Sequence, residues 1–167
     1  MAKRRPAASP LEKKPSRRPV PPTLRLTVQY ACNNDALPSR QRVRRWVLAA
    51  LERDAEITVR FVETGEGRHL NKEFRGRDRA TNVLSFPYEH APKVSGDLVV
   101  CAPVVLREAS AQNKTPDAHF AHLIVHGILH LHGHDHETGP ADAAAMETLE
   151  RTILARLGYA DPYADET

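Results

Sequence analysis

The sequence predicts an α/β (α+β) domain, a small four-stranded mixed sheet with about five helices packed on it. Two segments alternate apolar and polar side chains as half-buried strands do, and two more are short apolar runs beside Pro or Gly. Interspersed with them are five segments whose apolar residues recur at helical spacing. The chain has 167 residues. That length suits one domain, which can bury roughly two thirds of its unfolded surface without disulfides.

The elements follow in order. Leu24, Leu26, Val28 and Tyr30 alternate as a first strand. Pro38-Ser39 opens a helix that carries Val43, Trp46, Val47, Ala50 and Leu51 at helical spacing. Ile57, Val59 and Phe61 alternate again as a second strand. A short helix over about 65–74 places Leu70 and Phe74 on one side. The polar loop Arg75–Asn82 leads into Val83-Leu84-Ser85-Phe86, a third strand stopped by Pro87. Gly96-Asp97 precedes the fourth strand, Leu98–Cys101, and Pro103 suits the first turn of a third helix. Pro116-Asp117 opens a long helix to about Gly133. A last amphipathic helix carries Met146, Leu149, Ile153, Leu154 and Leu157, and Gly158 ends it.

The net charge of +3 divides unevenly along the chain. Residues 1–23 hold seven Lys and Arg against Glu12, and the remainder carries three more acidic than basic residues. Six of the 13 prolines also fall in that start. Such a segment buries too little apolar surface to offset its ordering entropy, so residues 1–23 are expected to be a disordered basic tail. The tail is either a solubilising arm or an auxiliary contact to polyanions such as RNA. Residues 24–160 form the expected domain, and 161–167 a short C-terminal tail. Met1-Ala2-Lys3-Arg4-Arg5 has the charge of a signal-peptide start, but Pro6, Pro10 and Pro15 follow instead of an apolar stretch, so no secretion signal is expected. No apolar run approaches the ~20 residues that span a bilayer. Two thiols, Cys32 and Cys101, make neither a disulfide framework nor a Cys-based metal site, which suggests a reducing, cytosolic setting.

Seven of the nine histidines lie between positions 119 and 136. His119, His122, His126 and His130 share one face of the predicted long helix. Four imidazoles on an apolar helix are costly to bury without a partner for their lone pairs, and a divalent metal is such a partner. Side chains at i and i+4 stand ~5–6 Å apart at Cβ, so His126 and His130 can meet at one ion. A ligand one more turn along the same helix lies too far away, so the third comes from beyond the reversal at Gly133, where His134 and His136 follow. Residues 126–136, His-Gly-Ile-Leu-His-Leu-His-Gly-His-Asp-His, have a zincin-like His-x-x-x-His and the spacing of the metzincin zinc motif. The spacing selects His126, His130 and His136 as ligands of one Zn²⁺, with His134 as the rival for third place. Gly127 stands where a metallopeptidase has its general-base Glu. Three imidazoles with an open fourth position describe a catalytic zinc site. His132 is expected to face away from the metal, and His119, His122 and His134 to stand behind the ligands or in the pocket around them.

The loop Arg75-Gly76-Arg77-Asp78-Arg79-Ala80-Thr81-Asn82 carries cations at alternate positions. It is either a solvated charge run or a phosphate-holding loop, since Arg offers a permanently charged fork to phosphate oxygens. The sequence has no Walker A loop, dinucleotide glycine fingerprint, G-x-S-x-G elbow or C-x-x-C.

Together three separated motifs resemble the bacterial YbeY family of rRNA maturation factors. They are Leu70-Asn71 through Phe74-Arg75-Gly76-x-Asp78-x-x-Thr81-Asn82-Val83-Leu84-Ser85-Phe86-Pro87, then Gly96-Asp97, then His126-Gly127-x-Leu129-His130-Leu131-x-Gly133-x-Asp135-His136. The resemblance covers about residues 24–160. It implies a single-strand-specific, metal-dependent endoribonuclease that acts in 16S rRNA 3′-end maturation and ribosome quality control in the cytoplasm. It places the zinc ligands on His126, His130 and His136 and the functional arginine on Arg75. His134 departs from the Tyr common at that position, and the basic tail lies outside the family pattern. The partners expected are single-stranded RNA, rRNA and ribosomal subunits, with neither a membrane nor DNA among them.

A zinc ion on three His lowers the pKa of its water to ~7 and polarises a phosphoryl oxygen, and Arg75 is the expected neutraliser of developing charge. The general base is left between zinc-bound hydroxide and a relay through a histidine such as His122. Lys72, Arg77 and Arg79 join Arg75 as an expected basic patch for the RNA backbone. Asp97 reads as a strand-end residue. The competing classes are a zinc peptidase, opposed by Gly127, and a ribosome-associated protein whose metal is only structural.

Overall fold

A computed structural model describes residues 20–134 and 139–164. Strands β1 (Leu24–Ala31), β2 (Ala55–Val62), β3 (Val83–Glu89) and β4 (Val94–Cys101) form one sheet in the order β1-β2-β4-β3. β1, β2 and β4 run parallel, and β3 pairs antiparallel with β4 as an edge strand. The helices are α1 (Arg40–Ala50), α2 (Thr64–Arg75), α3 (Ala102–Ala111), α4 (Pro116–Leu131) and α5 (Pro140–Leu157). The expected mixed α/β architecture of four strands and five helices is what forms. Among the described residues no helix is long and apolar enough to cross a membrane.

Helix starts follow their caps. The Ser39 hydroxyl accepts from the Arg42 N–H at the start of α1, and Thr115 accepts from Ala118 N–H at the start of α4. Val43, Trp46 and Val47 of α1 are fully buried, which is the stripe that the periodicity predicts. α4 is buried on most of its circumference, with Phe120, Ala121, Ile124, Val125 and Ile128 in the main core beside Ile57, Val59 and Phe61 of β2. Alternation sends Val62, Leu84, Val99 and Cys101 to the other sheet face, where they form a smaller cluster that Leu70 of α2 joins.

Two boundaries differ from the sequence reading. β3 does not stop at Pro87 but continues to Glu89, with a register irregularity between those residues. An edge strand tolerates a residue without an N–H, particularly beside a bulge. Gly96 and Asp97 do not precede β4 but lie inside it, because β2 pairs with it from Val94 onward. Asp97 is therefore mid-strand, and it accepts a hydrogen bond of 2.6 Å from Tyr88.

Candidate active site

The end of α4 is set by Gly133. Its φ of 99° is left-handed; Gly133 N–H donates to His130 O and His134 N–H to Leu129 O. This double return is a Schellman cap, which turns the chain sharply after the helix. His126 and His130, one turn apart, face each other just before it. Their Nε2 atoms are 3.1 Å apart.

Glu150 on α5, a residue that the sequence reading missed, fixes the chemistry of this pair. Its side chain is 1% exposed. Oε2 lies 2.6 Å from His126 Nδ1, Oε1 lies 3.0 Å from His122 Nε2, and Tyr163 donates its hydroxyl to Oε1. Burial alone pushes the Glu150 carboxyl up, but the hydrogen bonds from His122, His126 and Tyr163 outweigh it and leave the group well below the usual carboxylate range. An ionised Glu150 only accepts, so the proton of a neutral His126 sits on Nδ1 and its Nε2 presents a lone pair to His130. A carboxylate on the far nitrogen is the usual partner of a metal-binding histidine. Two nitrogens at ~2.0–2.1 Å from one tetrahedral zinc lie roughly 3.3 Å apart, close to the observed separation. The pair therefore fits a divalent metal. The signal for Glu150 was present in the sequence, as a carboxylate inside the apolar stripe of Met146, Ile153 and Leu154.

The other histidines take distinct places. His136, the third ligand expected from spacing, lies outside the described residues. Among the described residues no three His, Cys, Asp or Glu form a metal-holding group. His134 lines the same groove as the pair, with its Nε2 2.9 Å from Glu52. His122 stands behind His126 on Glu150 and does not line the groove. Burial pulls its imidazole below the ordinary value despite Glu150. His132 faces away: its Nε2 accepts from the Glu52 N–H at 3.1 Å, which leaves the ring proton on Nδ1 to donate to Ile128 O at 2.9 Å. His119 is 3% exposed and binds Glu108 at 2.9 Å. The His119 imidazole and the Asn82 amide hold the Glu108 carboxyl below its usual range against burial.

A groove of about 750 Å³ joins this pair to the arginine loop. Arg75, Arg77 and Arg79 line it with Thr81, Asn82 and Ser85, and His126, His130 and His134 complete it. The loop is held by Asn71, 3% exposed, whose side-chain amide donates to Arg79 O at 2.8 Å. Asp78, the loop's one acid, is taken by a bidentate pair with Arg68 at 2.7 and 3.1 Å. Arg75 donates to Ser85 O at 2.7 Å, and its guanidinium lies 5.4 Å from the centre of the Phe86 ring. Phe74 stacks edge-on against the same ring at 5.4 Å and is 55% exposed. Lys72 is exposed on α2 and is not a groove-lining residue.

Gly127 faces β4. A Cβ built there would stand 2.7 Å from a methyl of Leu98, whose side chain is fully buried. The position is filled by sheet packing, with no room for the glutamate of a metallopeptidase.

The family model described as endoribonuclease YbeY matches residues 30–158. The chain belongs to the endoribonuclease YbeY family. It is 57% identical to an endoribonuclease YbeY of Aromatoleum aromaticum over 144 residues, covering 84% of this chain and 93% of that one. Against the endoribonuclease YbeY of Methylobacillus flagellatus it is 52% identical over 145 residues, 87% of this chain and 97% of the relative. The solution structure of TM1509 from Thermotoga maritima shares the fold with a TM-score of 0.58 and 28% identity, covering 81% of this chain and 89% of that one. The YbeY match spans both the arginine loop and the histidine helix.

Proposed function

We propose that the chain is a single-strand-specific, zinc-dependent endoribonuclease of the cytoplasm that acts in 3′-end maturation of small-subunit rRNA and in ribosome quality control, with ribosomal subunits as partners. Membership of the endoribonuclease YbeY family supports ribonuclease activity and an RNA substrate. The ribosomal role rests on the resemblance of the three motifs to that family. One observation carries the mechanism: two imidazole Nε2 atoms converge to 3.1 Å in the groove that Arg75, Arg77 and Arg79 line.

His126, His130 and His136 would hold the zinc. When bound, it supplies Lewis-acid polarisation and activation of water. Glu150 keeps the His126 proton on Nδ1, so that Nε2 stays a ligand. Arg75, propped by Ser85 O and the Phe86 ring, presents its remaining N–H groups to the phosphate at which negative charge grows. Arg77 and Arg79 hold neighbouring phosphates, and the exposed Phe74 ring takes an unstacked base, a contact that only single strands offer freely.

The test is incubation of zinc-loaded protein with single-stranded RNA and with casein, each with and without chelator. RNA is expected to be cut internally, casein to stay intact, and chelator to stop the cutting. Casein hydrolysis, or RNA cleavage indifferent to chelator, contradicts the reading.

A further inference from the structure

Residues 159–163, part of which the sequence reading assigned to a C-terminal tail, fold back onto α5. Tyr159 sets its ring edge-on to Trp46 at 6.3 Å. Asp161 accepts from Arg151 Nε at 3.2 and 3.1 Å and from the Tyr163 N–H at 2.8 Å. Lys114 donates to Pro162 O at 3.2 Å. The Arg151 guanidinium lies 5.4 Å from the centre of the Tyr163 ring, whose other neighbour is His122, ring to ring at 5.4 Å and nearly perpendicular. All this fixes one hydroxyl, that of Tyr163, against Glu150 Oε1.

Glu150 has two oxygens and three donors. His126 occupies Oε2, while His122 and Tyr163 share Oε1. His122 Nδ1 is buried without a partner among the described residues, as expected for a neutral ring whose proton is on Nε2. The carboxylate is thus pinned at both ends, and its rotation would cost a bond to each neighbour. An imidazole without such a partner is free to carry its proton on Nε2, the atom that faces His130 and must be bare to bind a metal. Tyr163 itself does not line the groove.

We propose that Tyr163 is a positioning residue for the metal-binding histidines: by completing the hydrogen bonding of Glu150 it holds His126 in its Nδ1–H tautomer, so the C-terminal segment is part of the site. The inference rests on the zinc reading above and deepens it.

Two measurements test it on the full chain with ¹⁵N label. Long-range ¹H–¹⁵N correlation on the metal-free protein reads the His126 tautomer, and competition against a chromophoric chelator reads zinc affinity. The wild type should show His126 protonated at Nδ1. Tyr163→Phe keeps the ring between Arg151 and His122 but removes the donor. It should give a mixture of tautomers and bind zinc ~10-fold more weakly, the low end of the loss for removing an outer partner of a ligating histidine. Glu150→Gln, whose single carbonyl cannot serve three donors, should shift both readouts further. If Glu150→Gln does not fold, Tyr163→Phe decides alone. A Tyr163→Phe protein with His126 wholly Nδ1-protonated and unchanged zinc affinity overturns the proposal. A wild type that takes up no zinc while Tyr163→Phe still scrambles the tautomer sinks the zinc reading and leaves the positioning role standing.

Discussion

His126 and Arg75 line one groove but are held in different ways. His126 leans on a carboxylate that is 1% exposed and is itself held by His122 and Tyr163. Arg75 rests at the surface on a carbonyl and a ring, and Arg68 occupies the loop's acid. The histidine side is a connected, low-dielectric network in which each group sets the state of the next. The arginine side is a row of separately mounted cations. Losses in the network should therefore be large and non-additive, whereas losses along the loop should be graded and nearly additive.

That difference orders the expected effects. The largest belongs to the network. His130→Ala removes one of two converging nitrogens and should abolish both stoichiometric zinc binding and RNA cleavage, as read by elemental analysis and a labelled oligonucleotide. Retained zinc would mean that the ion sits elsewhere and would break the comparison. Next come Arg77→Ala and Arg79→Ala. Each should keep zinc, weaken RNA binding regardless of sequence, and flatten the slope of log affinity against log salt by about 0.7, the value per phosphate contact on a single strand. Losses that fail to add in the double variant would show that the loop, too, is a network. Phe74→Ala is smaller again in scope. It should weaken binding by ~1–3 kcal/mol on single strands, the worth of one base–aromatic stack, and leave a duplex of equal length unaffected. Deleting residues 1–22 is expected to act least. Fold and zinc content stay the same, and RNA affinity falls most at low salt, because phosphate contacts by the lost cations act through a field that salt screens. Equal affinities across a salt titration would reduce the tail to a solubilising arm.

The same contrast explains what could be read in advance. The helix and strand stripes were legible because burial imposes its period on Val43, Trp46, Ile57 and Phe61. The His126–His130 pair was legible because i,i+4 spacing is a local property, and so was the reversal at Gly133. Pro87 and Gly96-Asp97 misled because pairing in the sheet overrides local breakers, and pairing partners are not adjacent in sequence. Glu150 was missed for the same reason. It stands 24 residues from His126, and only the packing of α5 on α4 brings the two to 2.6 Å. Gly127 looked like a missing catalytic base, whereas contact with Leu98 gives it a packing role that spacing could not express. Tyr163 lay in a stretch whose composition suggested a tail, and its partners His122 and Glu150 stand on α4 and α5.

The central claim is that the histidine network holds the metal while Arg75 acts on the phosphate. Arg75→Ala, assayed for zinc content and RNA cleavage in the same preparation, tests it most directly. The account predicts full zinc content with cleavage reduced at least ~10²-fold, the scale for one preorganised stabilising donor, and only partial recovery in Arg75→Lys, which keeps the charge but not the fork. Cleavage that survives Arg75→Ala undiminished, or zinc lost along with it, would contradict that division.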